Sequence, residues 1–201
     1  MTEKRMDSIL KYWFGDLMPG EMVSEEKQKM WFDKNPEIDR YIRDHYEKDV
    51  QNAADGGLDH WQKEAAGRLA LVLLLDQFTR NIYRNTPDSF AYDEIALHIC
   101  TKGIQKGMDV EVHPIKRVFF YLPMMHAEDL DVQKQSIRTF KSLLDMAPSN
   151  MTEYLRGTYD FAVRHHDIVK RFGRFPHRNE ILGRKSTKEE IEFLKTPQSS
   201  F

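Results

Sequence analysis

The stretch LALVLLL, residues 69–75, is hydrophobic on every side of a helix. A helix without a polar face is normally buried, because other helices must cover it on all sides. The chain shows no persistent strand-like alternation of polar and apolar residues, and it holds only 10 glycines and 8 prolines among 201 residues. This stretch therefore predicts the central helix of an all-α protein.

Helix start and stop signals recur on both sides of this stretch. Pro87 and Pro114 follow Thr86 and His113, an order typical of a cap and a first helical turn. The run STKE, residues 186–189, has the spacing of a capping box. The predicted helices cover residues 6–14, 25–32, 37–53, 64–84, 87–105, 114–125, 127–146, 150–172 and 187–195.

The length of the chain limits its organisation. With 201 residues and a mass of 23.8 kDa, it fits one domain over residues 1–201. The connections between the predicted helices are short, which is typical of antiparallel neighbours. We therefore expect a single all-α domain of about nine antiparallel helices.

The charge of the chain is small overall but uneven. Its formal net charge is -2 at pH 7, so no global field favours nucleic acid or an anionic membrane. Residues 164–185 hold seven Lys or Arg against two acids, a net +5, and the rest of the chain therefore carries -7. The basic patch is local and belongs to a chain that is otherwise acidic.

Cysteine usage and hydropathy predict the compartment. The one cysteine, Cys100, excludes an internal disulfide and fits a reducing environment. Residues 1–13 lack the continuous apolar run of a signal peptide. The seven apolar residues 69–75 are far fewer than the roughly 20 that span a bilayer. The sequence therefore predicts a cytoplasmic protein without a membrane partner.

The central helix becomes polar at DQFTRN, residues 76–81. Asp76 and Arg80 stand four residues apart with the acid first, the favoured order for a helical ion pair. Helical spacing puts them on the face of Leu69 and Leu73, so we expect the pair to be partly buried. Two interpretations are open: the pair fixes helix packing, or it faces a ligand.

A second polar group is MMHAEDLD, residues 124–131. Pro123 is expected to end the preceding helix, and the next helix is expected to begin shortly after it. Glu128 and Asp129 would then lie in a first turn, where the helix dipole favours carboxylates. That explanation does not account for His126 beside them, so a functional role is also open.

The third polar group is RFGRFPHRNEILGR, residues 171–184. Gly173 is typical of a helix C-terminus, and Pro176 prevents the helix from continuing. The loop that follows carries arginines, whose planar guanidinium groups bind carboxylate or phosphate through two hydrogen bonds. Phe172 and Phe175 are expected to anchor this loop against the core.

This loop also has two open interpretations, a site for an anionic ligand and a structural clasp. The clasp pairs arginines of the loop with acids of the two other motifs, namely Arg174, Arg178 and Arg184 with Asp76, Glu128 or Asp129. On the preceding helix, His165 shares a face with Phe161 and Ile168. A lone histidine on an apolar face is typical of a core residue.

Three long segments carry a resemblance to a known family. They are LALVLLLDQFTRNIYRNTPDSFAYDEIAL (69–97), FFYLPMMHAEDL (119–130) and HHDIVKRFGRFPHRNEILGRKSTKEEIEFL (165–194). In order and spacing they resemble the bacterial family known as domain of unknown function 924, over about residues 60–195. The resemblance implies an all-helical fold similar to tetratricopeptide-type helix stacks, and it implies no established activity.

The resemblance also marks motif positions in this chain. They are Asp76, Gln77, Arg80, Asn81, Glu128, Asp129, His165, Asp167, Arg171, Arg174, His177, Arg178, Asn179, Gly183 and Arg184. The chain departs from the family pattern at Thr79, where proline is common, and at Ala127, where serine is common. The second departure removes a hydroxyl next to one of the motif acids.

The first functional hypothesis is a domain that binds a small anionic molecule or an acidic peptide. Its predicted pocket is lined by polar side chains of all three motifs, namely Asp76, Arg80, Glu128, Asp129, Arg171, Arg174, His177, Arg178, Asn179 and Arg184. The arginines would bind the anion, and the histidine and the asparagine would give directional hydrogen bonds.

The second hypothesis is a hydrolase-type enzyme that uses the same pocket. Its candidate acids and bases are His126, Glu128, His165, Asp167 and His177. The sequence contains no HExxH motif and no glycine-rich phosphate loop, so no metal site is predicted and no cofactor is assigned. Two further hypotheses are nucleic-acid binding through residues 164–185, which the acidic remainder disfavours, and a purely structural role with function elsewhere. The oligomeric state is left open.

Overall fold

The apolar stretch 69–75 lies at the centre of the protein. In the computed structural model, which describes residues 2–197, 199 and 200, every side chain of this stretch is at most 1% exposed. The described residues form a single all-α domain without a β-strand, so the predicted fold class is confirmed. Met1, Gln198 and Phe201 of the predicted domain lie outside the described residues.

Ten α-helical segments make up the described chain. They are α1 (Thr2–Phe14), α2 (Glu25–Phe32), α3 (Pro36–Ala54), α4 (Ala65–Val72), α5 (Thr79–Ile82), α6 (Asp93–Gln105), α7 (Pro114–His126), α8 (Leu130–Asp145), α9 (Thr152–Phe172) and α10 (Lys188–Leu194). A π-helical segment, Leu73–Phe78, joins α4 to α5 into one continuous helix. The described part of the chain therefore has nine separate helices, in line with the prediction.

The continuous central helix is covered on several sides by other helices. Helices α3, α6 and α7 pack directly against it, and α8 and α9 pack along each other beside α7. Aromatic side chains of the N-terminal helices pack on this core: Trp31 lies edge-on to Phe119 of α7, with ring centroids 4.6 Å apart. The indole of Trp31 also donates a hydrogen bond to the carbonyl of Trp13 at 2.9 Å. None of the helices described is both long and apolar enough to cross a membrane.

The π-helical segment was not predicted. It spans the change from apolar to polar residues and contains Asp76 and Gln77, both of which are buried. Thr79 follows this segment, and its hydroxyl donates to the carbonyl of Leu75 at 3.0 Å. Short π-helical segments within α-helices often occur at functional sites, because they change the direction in which side chains leave the helix.

The predicted helix 87–105 is wrong in its first turn. Residues Pro87–Phe90 form a 3-10 turn, and α6 begins only at Asp93. The amide of Ala91 donates to the carbonyl of Asp88, three residues earlier, which is the hydrogen bond of a 3-10 turn. Tyr92, the next residue, has ψ of 12° and is not helical. The proline and threonine signal therefore marks a short turn rather than the start of a long helix.

The prediction that Pro123 ends a helix is also wrong. Helix α7 continues through Pro123 to His126. Proline removes one backbone hydrogen bond and costs about 3 kcal/mol in a helix interior. Leu122, Met124 and Met125 on either side of it are buried in the core, and their burial offsets this cost.

The start of the next helix differs from the prediction as well. Helix α8 begins at Leu130, and Asp129 is its N-cap, accepting hydrogen bonds from the amides of Asp131 and Val132 at 2.9 Å each. Glu128 precedes the helix instead of lying in its first turn. The side chain of Glu128 is therefore available for contacts elsewhere in the fold.

At the C-terminal end, helix α9 stops at Gly173 as predicted. This glycine has φ of 70°, the left-handed conformation that favours glycine. The following turn, Pro176–Arg178, is held by a small second core, in which Phe175 packs with Ile168 and Val169. Phe175 thus anchors the loop as expected.

The predicted capping box is shifted by one residue. Thr187, not Ser186, caps α10, and the partner is Glu190 rather than Glu189. The hydroxyl of Thr187 accepts from the amide of Glu190 at 3.2 Å, and the carboxylate of Glu190 accepts from the amide of Thr187 at 2.7 Å. The shift arises because Glu190 is buried against Arg174, a tertiary contact that the local pattern does not contain.

Candidate functional site

The carboxylate of Asp76 is fully buried at the centre of the first polar motif. It contacts Arg80 Nη1 at 3.2 Å, His126 Nδ1 at 2.7 Å and Gln77 Nε2 at 2.5 Å. Burial alone would raise the pKa of Asp76, but the charge of Arg80 and the hydrogen bonds from His126 and Gln77 outweigh it and lower this pKa. The predicted buried ion pair between Asp76 and Arg80 is confirmed, and Asp76 is ionised.

Arg80 connects this carboxylate to a second one that the sequence did not mark. Its guanidinium group donates two hydrogen bonds to the carboxylate of Asp93, Nη1 to Oδ1 and Nη2 to Oδ2, both at 2.9 Å. Asp93 is the first residue of α6, where an acid is ordinarily explained by the helix dipole. Its pairing with a residue 13 positions earlier is visible only in the fold.

Arg178 lies between two aromatic rings. Its guanidinium carbon is 4.7 Å from the ring centre of Phe90 and 4.6 Å from that of Phe175. Arg178 is 7% exposed, and its ion-pair partner is Asp93, with Nη1 3.5 Å from Oδ2. Among the described residues this guanidinium has no hydrogen-bond acceptor, and its Nε is buried without a partner.

The electrostatics of Arg178 follow from this position. Burial is the largest influence on its pKa, and the charge of Arg80 acts in the same direction, so that the pKa falls to about 10. The group is still a cation at neutral pH. It is a cation whose hydrogen-bonding capacity is largely unused.

Glu128 is the point at which the loop after α9 meets the second polar motif. Its carboxylate accepts from Arg184 Nη1 at 2.5 Å, from Arg184 Nη2 at 2.9 Å and from the amide of Phe175 at 2.7 Å. Burial would raise the pKa of Glu128, and these donors lower it below its usual value. We call Glu128, Arg184 and the Phe175 amide the clasp. The predicted pairing of this loop with Glu128 is confirmed for Arg184.

The other predicted arginine pairs differ. Arg174 binds both carboxylate oxygens of Glu190, at 2.7 and 2.9 Å, instead of Asp76, Glu128 or Asp129. This contact lowers the pKa of Glu190 to about 2. Arg171 contacts Glu189 at 2.8 Å on an exposed surface. The glutamates of α10 lie nearer to these two arginines than the predicted acids do, and Asp129 is occupied as a helix cap.

Three imidazole rings are linked to Arg178 through contacts with one another and with Phe175. The ring centres of His126 and His165 are 6.2 Å apart, and the ring of Phe175 lies 5.4 Å from His165 and 5.7 Å from His177. Burial lowers the pKa of all three histidines, to about 4 for His177 and well below the usual value for His165. Arg178 contributes to the lowering for His165 and His177. The three rings are neutral at pH 7.

We define the polar cluster as the set of residues that these contacts bring together, namely Asp76, Arg80, Asp93, His126, His165, His177 and Arg178. Phe90 and Asp93 were missed by the sequence analysis, although both lie within the first segment of the family resemblance. The clasp borders this cluster, because the Phe175 amide binds Glu128 while the Phe175 ring packs on Arg178.

Several other motif residues lie outside the cluster and support the fold around it. Asn81 donates to Asp39 at 2.8 Å, and Asn179 accepts from Arg184 Nε at 3.0 Å. Asp167 is exposed and contacts His166. Gly183 has φ of 64°, which favours glycine in the turn before Arg184. In the part of the chain that is described, no three His, Cys, Asp or Glu side chains converge as metal ligands.

The fold and these contacts define a class of protein: an all-α domain with a buried cluster of carboxylates, histidines and arginines at the junction of its central helix and its C-terminal loop. The chain belongs to a known family. Residues 9–198 match the family described as bacterial proteins of unknown function, DUF924.

A solved structure supports the same assignment. The protein of unknown function ATU0120 from Agrobacterium tumefaciens is 36% identical, with a TM-score of 0.83. The similarity covers 97% of this chain and 99% of that chain. None of the curated proteins compared with the chain is significantly similar to it.

Proposed function

We propose that the protein binds a small anionic molecule, whose carboxylate or phosphate group contacts Arg178 in the polar cluster. The observation that carries this proposal is the unused hydrogen-bonding capacity of a buried guanidinium group. A buried polar group without partners is costly, so such groups are normally paired in folded proteins. An anion supplied by a ligand would complete the pairing.

The contrast with the neighbouring arginines supports Arg178 as the binding residue. Arg80, Arg174 and Arg184 each make two hydrogen bonds to a carboxylate of the chain itself. Their guanidinium groups would have to give up these bonds before they could bind a ligand. Arg171 is paired with Glu189 on an exposed surface, so the proposal narrows the predicted set of ligand-binding arginines to Arg178.

The surroundings of Arg178 suit an anion. Phe90 and Phe175 pack their rings against the guanidinium group, and its N–H groups could bind a planar or tetrahedral anion through two hydrogen bonds. The nearby imidazoles are neutral at pH 7, so Arg178 supplies the positive charge that would pair with the anion. The small exposed fraction of Arg178 favours a small molecule over an acidic peptide.

The clasp has a different role in this proposal. Arg184 and Glu128 form two hydrogen bonds with each other. These bonds support a structural role for this pair, and so for part of the segment 171–184. By fixing the amide of Phe175, the clasp holds the turn that carries Arg178. Tetratricopeptide-like stacking and a cytoplasmic location remain predictions. The latter is supported by the single cysteine, Cys100, which is buried and free.

Isothermal titration calorimetry with inorganic phosphate tests this proposal. Wild-type protein is expected to bind phosphate saturably, and Arg178→Gln to bind it at least about tenfold more weakly, since a charged hydrogen bond contributes about 1.5–3 kcal/mol. Lys170→Gln is the matched control, because Lys170 is an exposed cation of the same basic segment. Sodium chloride at equal ionic strength separates specific binding from general salt effects.

Two results would contradict the proposal. One is phosphate binding by Arg178→Gln with wild-type affinity, and the other is an equal loss in Lys170→Gln. Arg178→Lys adds a test of geometry: it keeps the charge but not the planar fork, so an intermediate affinity is expected.

A further inference from the structure

We propose that Asp76 and His126 form a general-base dyad that hydrolyses a small ester bearing a carboxylate. This inference rests on the proposed function, because Arg178 would hold the carboxylate of the substrate. It adds a reaction to a site for which binding alone was argued above.

The hydrogen bond between the two side chains fixes the state of the imidazole. His126 Nδ1 lies 2.7 Å from Asp76 Oδ1, and an ionised carboxylate only accepts hydrogen bonds. Nδ1 must therefore carry the hydrogen. In the neutral ring the lone pair is then on Nε2, the atom that would act as the base.

Asp76 is itself held in place. Arg80 Nη1 contacts the oxygen that binds His126, at 3.2 Å, and Gln77 donates to the other oxygen at 2.5 Å. Both donors come from the continuous central helix, whose residues 69–75 are at most 1% exposed. A carboxylate fixed in this way orients the histidine ring and stabilises the imidazolium that forms when Nε2 takes up a proton.

The two ends of the dyad differ in access to solvent. The side chain of Asp76 is fully buried, whereas that of His126 is 15% exposed. Within the described part of the chain, His126 makes no hydrogen bond through Nε2. In the proposed reaction, water approaches His126 at Nε2.

A series of ring contacts links His126 to Arg178. The ring centres of His126 and His165 lie 6.2 Å apart, that of Phe175 lies 5.4 Å from His165, and the guanidinium carbon of Arg178 lies 4.6 Å from the Phe175 ring centre. In the proposed complex the substrate contacts Arg178 through its carboxylate and presents its ester carbonyl to His126. Such positioning is a large part of the effect of a general base.

The reaction needs no partner other than water. His126 Nε2 takes a proton from water while the water oxygen forms a bond to the ester carbonyl carbon, giving a tetrahedral oxyanion. When this intermediate collapses, the bond from that carbon to the leaving oxygen breaks, and the proton moves from His126 to the leaving group. The products are a carboxylic acid and an alcohol, and the dyad returns to its starting state.

Mono-4-nitrophenyl succinate is the probe, and 4-nitrophenyl acetate is the same ester without the carboxylate. The wild-type protein is expected to release 4-nitrophenolate from the succinate ester faster than buffer does. His126→Gln should lower kcat by about 10²–10⁴-fold, the usual contribution of a general base. Arg178→Gln should raise KM for the succinate ester and so reduce the preference for the succinate ester over the acetate ester. His98→Gln, which changes an exposed histidine of α6, is the matched control and should retain full activity.

Chemical labelling gives a second readout that needs no turnover. Diethylpyrocarbonate reacts with accessible, unprotonated imidazole, and mass spectrometry of peptides locates the modified residue. We expect His126 to be labelled in the wild-type protein and inorganic phosphate to slow this labelling. An unlabelled His126 in protein whose His98 is labelled would overturn the dyad.

The outcomes separate the two proposals. If phosphate binding depends on Arg178 but His126→Gln hydrolyses the succinate ester as fast as wild type, or wild type is no faster than buffer, the dyad is wrong and the binding proposal stands. If Arg178→Gln binds phosphate normally, the binding proposal fails. The inferred preference for an ester that bears a carboxylate then fails as well, even if His126→Gln lowers kcat.

Discussion

Arg184 holds both carboxylate oxygens of Glu128, a residue 56 positions earlier in the chain. Through this contact the C-terminal basic segment folds back onto the turn between α7 and α8. Glu128 also accepts the amide of Phe175, so one carboxylate fixes two points of the loop. The arginine-rich loop is therefore a packed part of the protein, and Arg178 takes its position from it.

The first prediction concerns the stability of the clasp. Glu128→Gln and Arg184→Gln should each lower the free energy of unfolding by about 1–2 kcal/mol, because each leaves a half-buried charged partner without its bidentate contact. In a double-mutant cycle by urea denaturation, the coupling energy should be about 1 kcal/mol. The exposed pair Asp131 and Lys134 is the control and should show no measurable coupling. Additive effects of Glu128→Gln and Arg184→Gln would contradict the clasp.

The second prediction concerns the buried carboxylate of Asp76. Asp76→Asn should lower the free energy of unfolding by about 3–5 kcal/mol, because it leaves Arg80 buried with one carboxylate fewer. Asp167→Asn, which changes an exposed acid of α9, should leave stability unchanged. Urea denaturation measures both. Equal stability of the two variants would show that Asp76 is not part of a buried charge network.

The third prediction concerns acid sensitivity. Burial holds the pKa of His177 at about 4 in the folded protein, below the roughly 6.5 of an unfolded histidine. The unfolded state therefore binds more protons between these two values, and stability falls as pH falls through this range. The loss assigned to His177 is on the order of 2–3 kcal/mol between pH 7 and pH 4.

His177→Gln is the matched variant for this measurement. Its free energy of unfolding should depend less steeply on pH between about 6.5 and 4, while His165 still contributes to the dependence. Glu128, whose pKa is lowered, loses its stabilisation only as pH falls further, through its folded pKa, and so acts in a separate range. A wild-type stability that is flat from pH 7 to pH 5 would contradict burial of the neutral histidines.

The fourth prediction compares two helical glycines. A Cβ at Gly103 would lie 2.5 Å from Phe120 Cζ in the core, so Gly103→Ala should destabilise the protein by about 1–3 kcal/mol. A Cβ at Gly157, in α9, meets no atom within 4 Å. Gly157→Ala should therefore stabilise by about 0.5–1 kcal/mol through its higher helix propensity. Thermal denaturation distinguishes them, and the same sign for both variants would contradict the packing of α6 on α7.

The sequence predicted the parts of the fold that depend on local patterns. Hydrophobic residues on all sides of the stretch 69–75 marked the central helix, and Gly173 marked the end of α9. The prediction that Pro123 ends a helix was wrong because it considered only the local cost of proline. The burial of the neighbouring residues, which offsets this cost, depends on the whole core. The capping box contains Glu190 instead of the predicted Glu189 because Glu190 also binds Arg174, a tertiary contact that the local pattern does not contain.

The candidate site was predicted only in part. The ion pair between Asp76 and Arg80 was predicted from their spacing of four residues. The ion pair between Glu128 and Arg184 was predicted from the opposite charges of the two segments that carry them. Asp93 gave no signal, because an acid at a helix start has an ordinary explanation. Arg178 contacts Phe90 and Asp93, which precede it by about 85 residues. A contact between segments so far apart in the chain cannot be read from a local sequence pattern.

NMR of the arginine Nε–H groups tests the central claim most directly, because it observes the guanidinium of Arg178 itself. In protein labelled with ¹⁵N-arginine, the Arg178 signal is assigned from its loss in Arg178→Lys and followed during titration with inorganic phosphate. We predict a saturable shift of the Arg178 signal and an unchanged signal from Arg184, which Glu128 already satisfies. An unmoved Arg178 signal at saturating phosphate would contradict the account.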